Sequence, residues 1–440
     1  MATLRSFRPY RYNPALFPDL APLVAPPYDV IGRAEQQALY ERHPLNVVRL
    51  ILSAEEDPYT TAARLWREWR EERYIVQEPE PCLVFTRERF RVDGEWRERA
   101  GFYAAVRLEP FAAGIIRPHE RTFSAPKEDR LRLLRACGAN LSPVFFLYPD
   151  RESVLRELGA WSDQRKPDLV FHDALQTEHR VWFVRSPRLR RFVCEELAPV
   201  ELIIADGHHR YETALAYSEE RLRAGDNAPE AGHRFVLGYL TSMDDSGLVV
   251  LPTHRVLQEY ARLDAFVQSL EQWFELQRYP LENAGGFFAA LDKGAGRHCL
   301  GVGWRGTEEL ALAFLRDESA LERFVGDADP SVRALDVTLL DRVVLQGLAN
   351  IVPDEAARSG QLWYTHSDSE ALEALRKGAA AVFFMRPPRM SDILAVCRAG
   401  QVMPQKSTYF YPKLLSGLLF QAVDEPVAHE EAEKLAQMAK

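Results

Sequence analysis

The run Glu201-Leu202-Ile203-Ile204-Ala205-Asp206-Gly207-His208-His209-Arg210-Tyr211-Glu212-Thr213-Ala214-Leu215 constrains this chain more than any other stretch. Its apolar residues read as a buried strand that stops at Asp-Gly, and a helical pattern begins at once afterwards. Only an abrupt strand-to-helix turn satisfies both periodicities. Such a turn aims free backbone N–H groups and the positive end of the helix dipole into one small space. Gly207 permits a left-handed or crowded backbone at that point. His208, His209 and Arg210 are unfavourable beside the dipole's positive end unless an anion offsets them, and Arg210 offers a bidentate fork for phosphate oxygens. The turn reads as an anion site, and as a phosphate site in particular. Two other readings stay open: Asp206 as a plain helix cap worth ~1 kcal/mol, and Asp206, His208 and His209 as metal ligands.

Strand and helix patterns alternate along the rest of the chain. Cys82–Phe90 and Gly101–Leu108 read as two strands joined around Asp93-Gly94, a hairpin signal. Asn46–Leu52 alternates like a strand, and Asp57-Pro58 opens a helix with Ala62, Leu65, Trp66 and Trp69 on one face. Later patterns imply strands near 144–147, 169–172, 180–184, 235–243, 298–304, 310–314, 361–365, 380–385 and 417–423, with helices between them. A Glu/Lys/Ala-rich tail from Glu425 reads as a frayed helix. The expected class is α/β, mixed with α+β, built as layers around a mixed sheet. The clearest break falls after Pro252-Thr253-His254-Arg255. It divides an N-terminal α/β domain, 1–258, from a C-terminal α/β domain, 259–440, whose Lys406-Ser407-Thr408 loop is expected to reach the same cleft.

With 440 residues the chain is long enough for two or three cores. A formal net charge of −9 argues against nucleic acid as the main partner. The five cysteines are scattered singly, which suits reduced thiols in a cytoplasm and excludes a thiolate-rich zinc site. No apolar run approaches the ~20 residues of a membrane helix, and no apolar leader precedes a small-residue cleavage site. A cytoplasmic protein with no membrane partner is the expectation; oligomeric state is not legible.

Three further clusters carry chemistry. Arg117-Pro118-His119-Glu120-Arg121-Thr122, followed by Pro126-Lys127-Glu128-Asp129-Arg130, offers Glu120 as a general base and cations as phosphate or carboxylate clamps. The alternative is a self-paired surface loop. Met403-Pro404-Gln405-Lys406-Ser407-Thr408-Tyr409-Phe410-Tyr411-Pro412-Lys413 aligns an ammonium, two hydroxyls and stacking rings, without a P-loop frame. It reads equally well as an aromatic connection into the last strand. Ala25-Pro26-Pro27-Tyr28-Asp29-Val30-Ile31 holds Tyr28 and Asp29 on a proline-stiffened turn. Met243-Asp244-Asp245 reads as a turn, with Mg²⁺ binding as the alternative.

Taken in order, Ala25–Ile31, His119–Thr122, Ala205–Ala214 and Met403–Phe410 resemble the family called domain of unknown function 1015, over about residues 7–423. More locally, Asp206-Gly207-His208-His209-Arg210 followed by Ala214-Leu215 is similar to the Asp-Gly-His-x-Arg turn of free-serine kinases with the ParB/sulfiredoxin fold. That resemblance implies a ParB/sulfiredoxin-like nucleotide-binding core within a larger mixed-sheet architecture. It implies that Gly207, His208 or His209, and Arg210 bind nucleotide phosphates. The expected function is a nucleotide-dependent phosphotransferase on a small hydroxyl compound, best guess free L-serine to phosphoserine, with ATP or ADP and Mg²⁺. In that reading Glu120, Asp206 and His209 are catalytic, and Arg121, Lys406, Ser407 and Thr408 join the phosphate turn. Tyr28, Asp29 and Tyr409 hold substrate. A ParB-like nucleotide-binding regulator and a metal-dependent hydrolase using His208 and His209 are the alternatives.

Overall fold

The computed structural model describes residues 1–121, 124–149, 151–294 and 298–428. The chain divides into two compact units. One holds Met1–Pro118, Thr122–Val249 and Pro412–Lys440; the other holds His119–Arg121 and Val250–Tyr411. The chain visits the second unit briefly at His119–Arg121, crosses to it at 249–250 and returns at 411–412. The return has a cause in backbone pairing. Ser416 bridges Ala25, Phe420 bridges Tyr10, and Gln421–Ala422 pairs with Ala139–Asn140, all within the first unit.

The first unit is built on a nine-stranded mixed sheet. Its strands are β1 (Leu4–Arg5), β2 (Leu83–Val92), β3 (Glu95–Arg107), β4 (Ile116–Pro118), β5 (Val144–Tyr148), β6 (Leu169–His172), β7 (Glu178–Val184), β8 (Leu202–Asp206) and β9 (Phe235–Ser242). They run in the order β4-β8-β5-β9-β3-β2-β7-β6, with β1 beside β3. The β4–β8 and β5–β9 pairs are parallel and the other pairs antiparallel. The Asp93-Gly94 signal closes the β2–β3 hairpin. Both residues take positive φ (51° and 83°), the geometry a two-residue turn needs to match strand twist.

Helices α1 (Pro58–Glu71), α2 (Ser124–Cys137), α3 (Glu152–Asp163), α4 (Pro187–Leu197) and α5 (His208–Arg223) belong to the same unit. Val154 and Leu158 of α3, Val193 and Leu197 of α4, and Tyr211 and Ala214 of α5 meet Phe85, Phe102, Phe146, Ile204 and Leu240 of the sheet in one core. Each of the Val, Leu, Ile and Phe side chains among them contributes ~1.5–3 kcal/mol of burial. Helix α2 packs against both α1 and α5, which brings the starts of α2 and α5 into one neighbourhood.

One expectation is overturned here. Asn46–Leu52 contains a helical turn, Val48–Ile51, not a strand. The Asn46 side chain accepts from Val48 N at 2.9 Å and donates to Pro22 O and Val24 O, and Val48, Leu50 and Ile51 are all buried. The local Asn46 side-chain bonds and burial on every side outweigh the alternating pattern. The last strand, expected over Gly417–Val423, shortens to Gln421–Ala422. The expected tail helix falls largely outside the described residues.

The second unit holds a six-stranded antiparallel sheet made of β10 (His254–Leu257), β11 (Phe274–Pro280), β12 (Cys299–Trp304), β13 (Glu309–Leu315), β14 (Leu362–Thr365) and β15 (Ala381–Phe384). Their order is β11-β13-β12-β15-β10-β14. Helices α6 (Ala284–Lys293) and α7 (Asp368–Arg376) cover it through Phe287, Leu291, Leu372 and Leu375, which pack on Val256, Leu312, Val382 and Phe384. A further helix, α8 (Met390–Arg398), follows β15. Among the described residues no helix is long and apolar enough to cross a membrane.

Candidate functional site

The β8–α5 turn forms as its sequence requires. Leu202–Ala205 are buried in the sheet, and Gly207 then reverses the chain with φ +87°. A Cβ at this position would sit 2.9 Å from the Arg210 guanidinium, so glycine is needed both for its backbone and for space. Helix α5 starts at His208 with Gly207, not Asp206, at its N-cap, and Tyr211 N closes the first turn on Gly207 O at 2.9 Å. The plain-cap reading of Asp206 therefore does not hold. The first-turn N–H groups present partial positive charge at the start of the helix.

Asp206 instead organises cations. Its carboxylate takes Arg210 Nη2 and Lys413 Nζ at 2.5 Å each, and Arg210 Nη1 donates to Pro143 O. Burial pushes the Asp206 carboxyl up, but the charges of Lys413 and then Arg210 outweigh it and hold it well below the usual carboxylate range. A carboxylate so held is a poor proton acceptor, which argues against Asp206 as a base. Two cations around one anion leave the turn with a surplus positive charge. Arg210 is thus an oriented member of this trio rather than the open fork read from the sequence. Lys413, the last residue of the third cluster, is a cation of this trio that the sequence reading did not single out.

Around the turn stand residues from two other elements of the first unit. Tyr28 and Asp29 lie in a short helical turn, Tyr28–Val30, that follows Pro26-Pro27. The Arg130 guanidinium lies 4.1 Å from the centre of the Tyr28 ring and donates to Ile51 O at 2.6 Å. Asp129 accepts from Tyr59 OH at 2.8 Å. Lys127 pairs with Glu212, one turn into α5. Burial, reinforced by Asp29, pushes the Tyr28 hydroxyl up to about 12 against the pull of Arg130 and Arg210, so it stays a neutral donor. Burial also lowers the His209 imidazole below its ordinary value, aided by Lys127 and Arg210 and opposed by Asp29 and Glu212. His209 is therefore neutral near pH 7 and able to accept a proton. Tyr28, Asp29, Lys127, Arg130, His209 and Arg210 thus share one electrostatic neighbourhood.

In the second unit the structure unites Glu120 with the Lys406-Ser407-Thr408 loop. Glu120 bridges Met403, and its Oε1 accepts from Ser407 N at 3.2 Å, Thr408 N at 3.4 Å and Thr408 Oγ1 at 3.3 Å. His119 Nε2 and Thr408 Oγ1 lie 2.6 Å apart. Lys406 is exposed and left-handed at φ +56°, and Ser407 Oγ donates to Pro404 O. The Glu120 carboxylate fills a small cradle of successive N–H groups, the kind of concavity that binds anions. Tyr409 stacks on His366 at 3.7 Å, and Arg121 is exposed.

Among the described residues no three His, Cys, Asp or Glu side chains converge as a metal ion would require. Asp245, in the turn that offered Mg²⁺ as an alternative, accepts from Gly247 N at 2.9 Å and Ala100 N at 3.4 Å. It is a turn-forming carboxylate.

The family described as protein of unknown function (DUF1015) matches residues 4–338. The chain belongs to that family. No curated protein matches it. Solved structures similar to it include a free serine kinase in complex with AMP, at 13% identity and TM-score 0.36, covering 70% of this chain and 86% of that one. A conserved hypothetical protein from Pyrococcus furiosus matches at 13% identity and TM-score 0.34, covering 76% and 96%. SbnI with a C-terminal truncation, from Staphylococcus aureus, matches at 11% identity and TM-score 0.34, covering 76% and 93%.

Proposed function

We propose that this protein is a nucleotide-dependent phosphotransferase that acts on a small hydroxyl compound, with free L-serine as the acceptor and phosphoserine as the product. The observation that carries the reading is the Gly207 turn: a left-handed glycine at the N-cap of α5, with Arg210 and Lys413 fixed on Asp206 beside it. The N–H groups of the first α5 turn, with Lys127 nearby, would hold the phosphates of ATP or ADP. The bound nucleotide supplies the phosphoryl group. Phosphoryl transfer needs positioning and charge neutralisation more than covalent chemistry from the protein. Asp206 keeps Arg210 and Lys413 oriented for that purpose. His209, neutral because buried, takes the proton of the acceptor hydroxyl. Tyr28 donates a hydrogen bond to the acceptor, and Asp29 favours an ammonium group on it. In this reading Glu120 shapes the Lys406–Thr408 loop rather than acting as the base. Mg²⁺ enters with the nucleotide, for which the described residues offer no converging ligand set.

The test is direct: purified protein, ATP or ADP, Mg²⁺ and L-serine, with phosphoserine measured by mass spectrometry beside His209→Ala and Arg210→Ala. Phosphoserine no higher than in those variants would overturn the reading. Calorimetric nucleotide binding without transfer to serine or any other small hydroxyl compound would leave a nucleotide-binding regulator in its place.

A further inference from the structure

The second unit encloses a cavity of about 590 Å³ that the proposed phosphotransfer does not use. Three arginines and four carboxylates line it. Most of them satisfy one another. Arg386 Nε meets Asp336 at 3.1 Å, His298 lies 3.5 Å from the same carboxylate, and Arg389 pairs with Asp392 at 2.9 Å. Arg255 differs. It sits on β10 with only 2% of its surface exposed. Its Nη1 donates to Thr253 O at 2.6 Å, its Nη2 reaches Gln405 O only at 3.5 Å, and its Nε has no hydrogen-bond partner among the described residues. The nearest carboxylate, Asp341, stands off at 3.9 Å, and its facing oxygen is likewise unpartnered. A buried guanidinium with an idle Nε–Nη2 edge is costly unless an acceptor fills that edge. The edge is also the fork that matches a carboxylate in two parallel bonds.

We propose that this cavity is a binding site for a small organic monocarboxylate, held by Arg255 with the Thr253 and Ser407 side chains beside it. The lining selects the charge of the ligand. Arg255 offers a single fork, which suits one carboxylate, whereas a phosphate dianion would bring two charges to a lining whose carboxylates already outnumber its arginines. An ammonium group elsewhere on the ligand is tolerated because carboxylates outnumber arginines in the lining. The wall that carries Ser407 is held in place by Glu120, which accepts from its backbone N–H at 3.2 Å. This inference does not depend on the phosphotransferase reading.

The full chain should be titrated with propionate, L-alanine and inorganic phosphate, by calorimetry and ligand-observed NMR. Saturable binding of propionate or L-alanine, with phosphate bound far more weakly, is expected. The charge-balanced double variant Arg255→Met/Asp341→Asn should weaken carboxylate binding about 10- to 100-fold, the scale of a charge-assisted pair. His209→Ala should leave it unchanged. If the double variant fails to fold by circular dichroism, Arg255→Lys keeps the charge but loses the fork, and about tenfold weaker binding is expected. The proposal is overturned by no saturable carboxylate binding up to about 10 mM, by phosphate binding as well as the carboxylates, or by unchanged affinity in the folded Arg255 variant. Loss of binding in His209→Ala would move the site to the first unit and also overturn it.

Discussion

Gly207→Ala tests the phosphate turn most sharply, because two separate penalties meet at that residue. An L-residue held at φ +87° costs ~1–2 kcal/mol. The new Cβ would also lie 2.9 Å from the Arg210 guanidinium, a flexible group that yields by swinging away. That movement weakens the 2.5 Å bond to Asp206, at about 1 kcal/mol or more. The sum is about 2–3 kcal/mol of local stability. Hydrogen exchange at Tyr211, whose N–H closes the first turn on Gly207 O, should then speed up about 30- to 150-fold. Calorimetry should show ATP or ADP affinity reduced at least about tenfold, because the first-turn N–H groups and Arg210 shift together. Gly94→Ala is the control. It has a similar φ of +83° and open space where the Cβ would go, so it carries the backbone cost alone. It should destabilise the β2–β3 hairpin by ~1 kcal/mol and leave nucleotide binding untouched. Nucleotide affinity unchanged by Gly207→Ala, or equally damaged by Gly94→Ala, would refute the reasoning.

Other perturbations follow from the same geometry. Because Asp206 is held below its unfolded carboxyl value, its stabilising contribution is present above about pH 4 and lost as pH falls through the depressed folded value. Lys413→Met should shrink that acid-linked loss, read as a smaller difference between urea midpoints at pH 7 and pH 3. The lowered His209 value places the acid limb of any transferase activity below pH 6.5, and a limb at or above that value would contradict His209 as the base. Glu120→Ala should speed exchange of the Ser407 and Thr408 amides about tenfold or more by removing their shared acceptor. In the buried Arg99–Glu88 pair, Arg99→Met should cost about 3–5 kcal/mol because it leaves the buried carboxylate only His179 at 3.6 Å, and Arg99→Met/Glu88→Gln should recover part of that loss in urea denaturation.

What the sequence revealed and what it hid divide along chain distance and burial. Asp93-Gly94 and the Asp206–Arg210 turn were readable because two to five adjacent residues decide each geometry. Phe274–Pro280 escaped because an edge strand with Glu275, Gln277 and Arg278 turned outward shows little apolar alternation. Asn46–Leu52 misled for the opposite reason. Its apolar residues are buried on every side, so periodicity no longer distinguishes helix from strand.

The candidate site obeys the same rule, with a consequence for how its charges are read. Asp206 and Lys413 are separated by 207 positions, and Glu120 and Thr408 by 288, so neither pairing leaves a local trace. Counted along the sequence, His208, His209 and Arg210 look like open cations beside a helix dipole. In the folded chain Arg210 is tied to Asp206 and Pro143 O, and His209 is kept neutral by burial. The positive surplus comes from Lys413, brought in from the far end of the chain. The surplus charge of the turn therefore rests on the packing of Pro412–Val423 within the first unit as much as on the motif itself. A chain cut before Pro412 would keep Asp-Gly-His-His-Arg intact yet lose the surplus charge, with Asp206 and Arg210 neutralising one another.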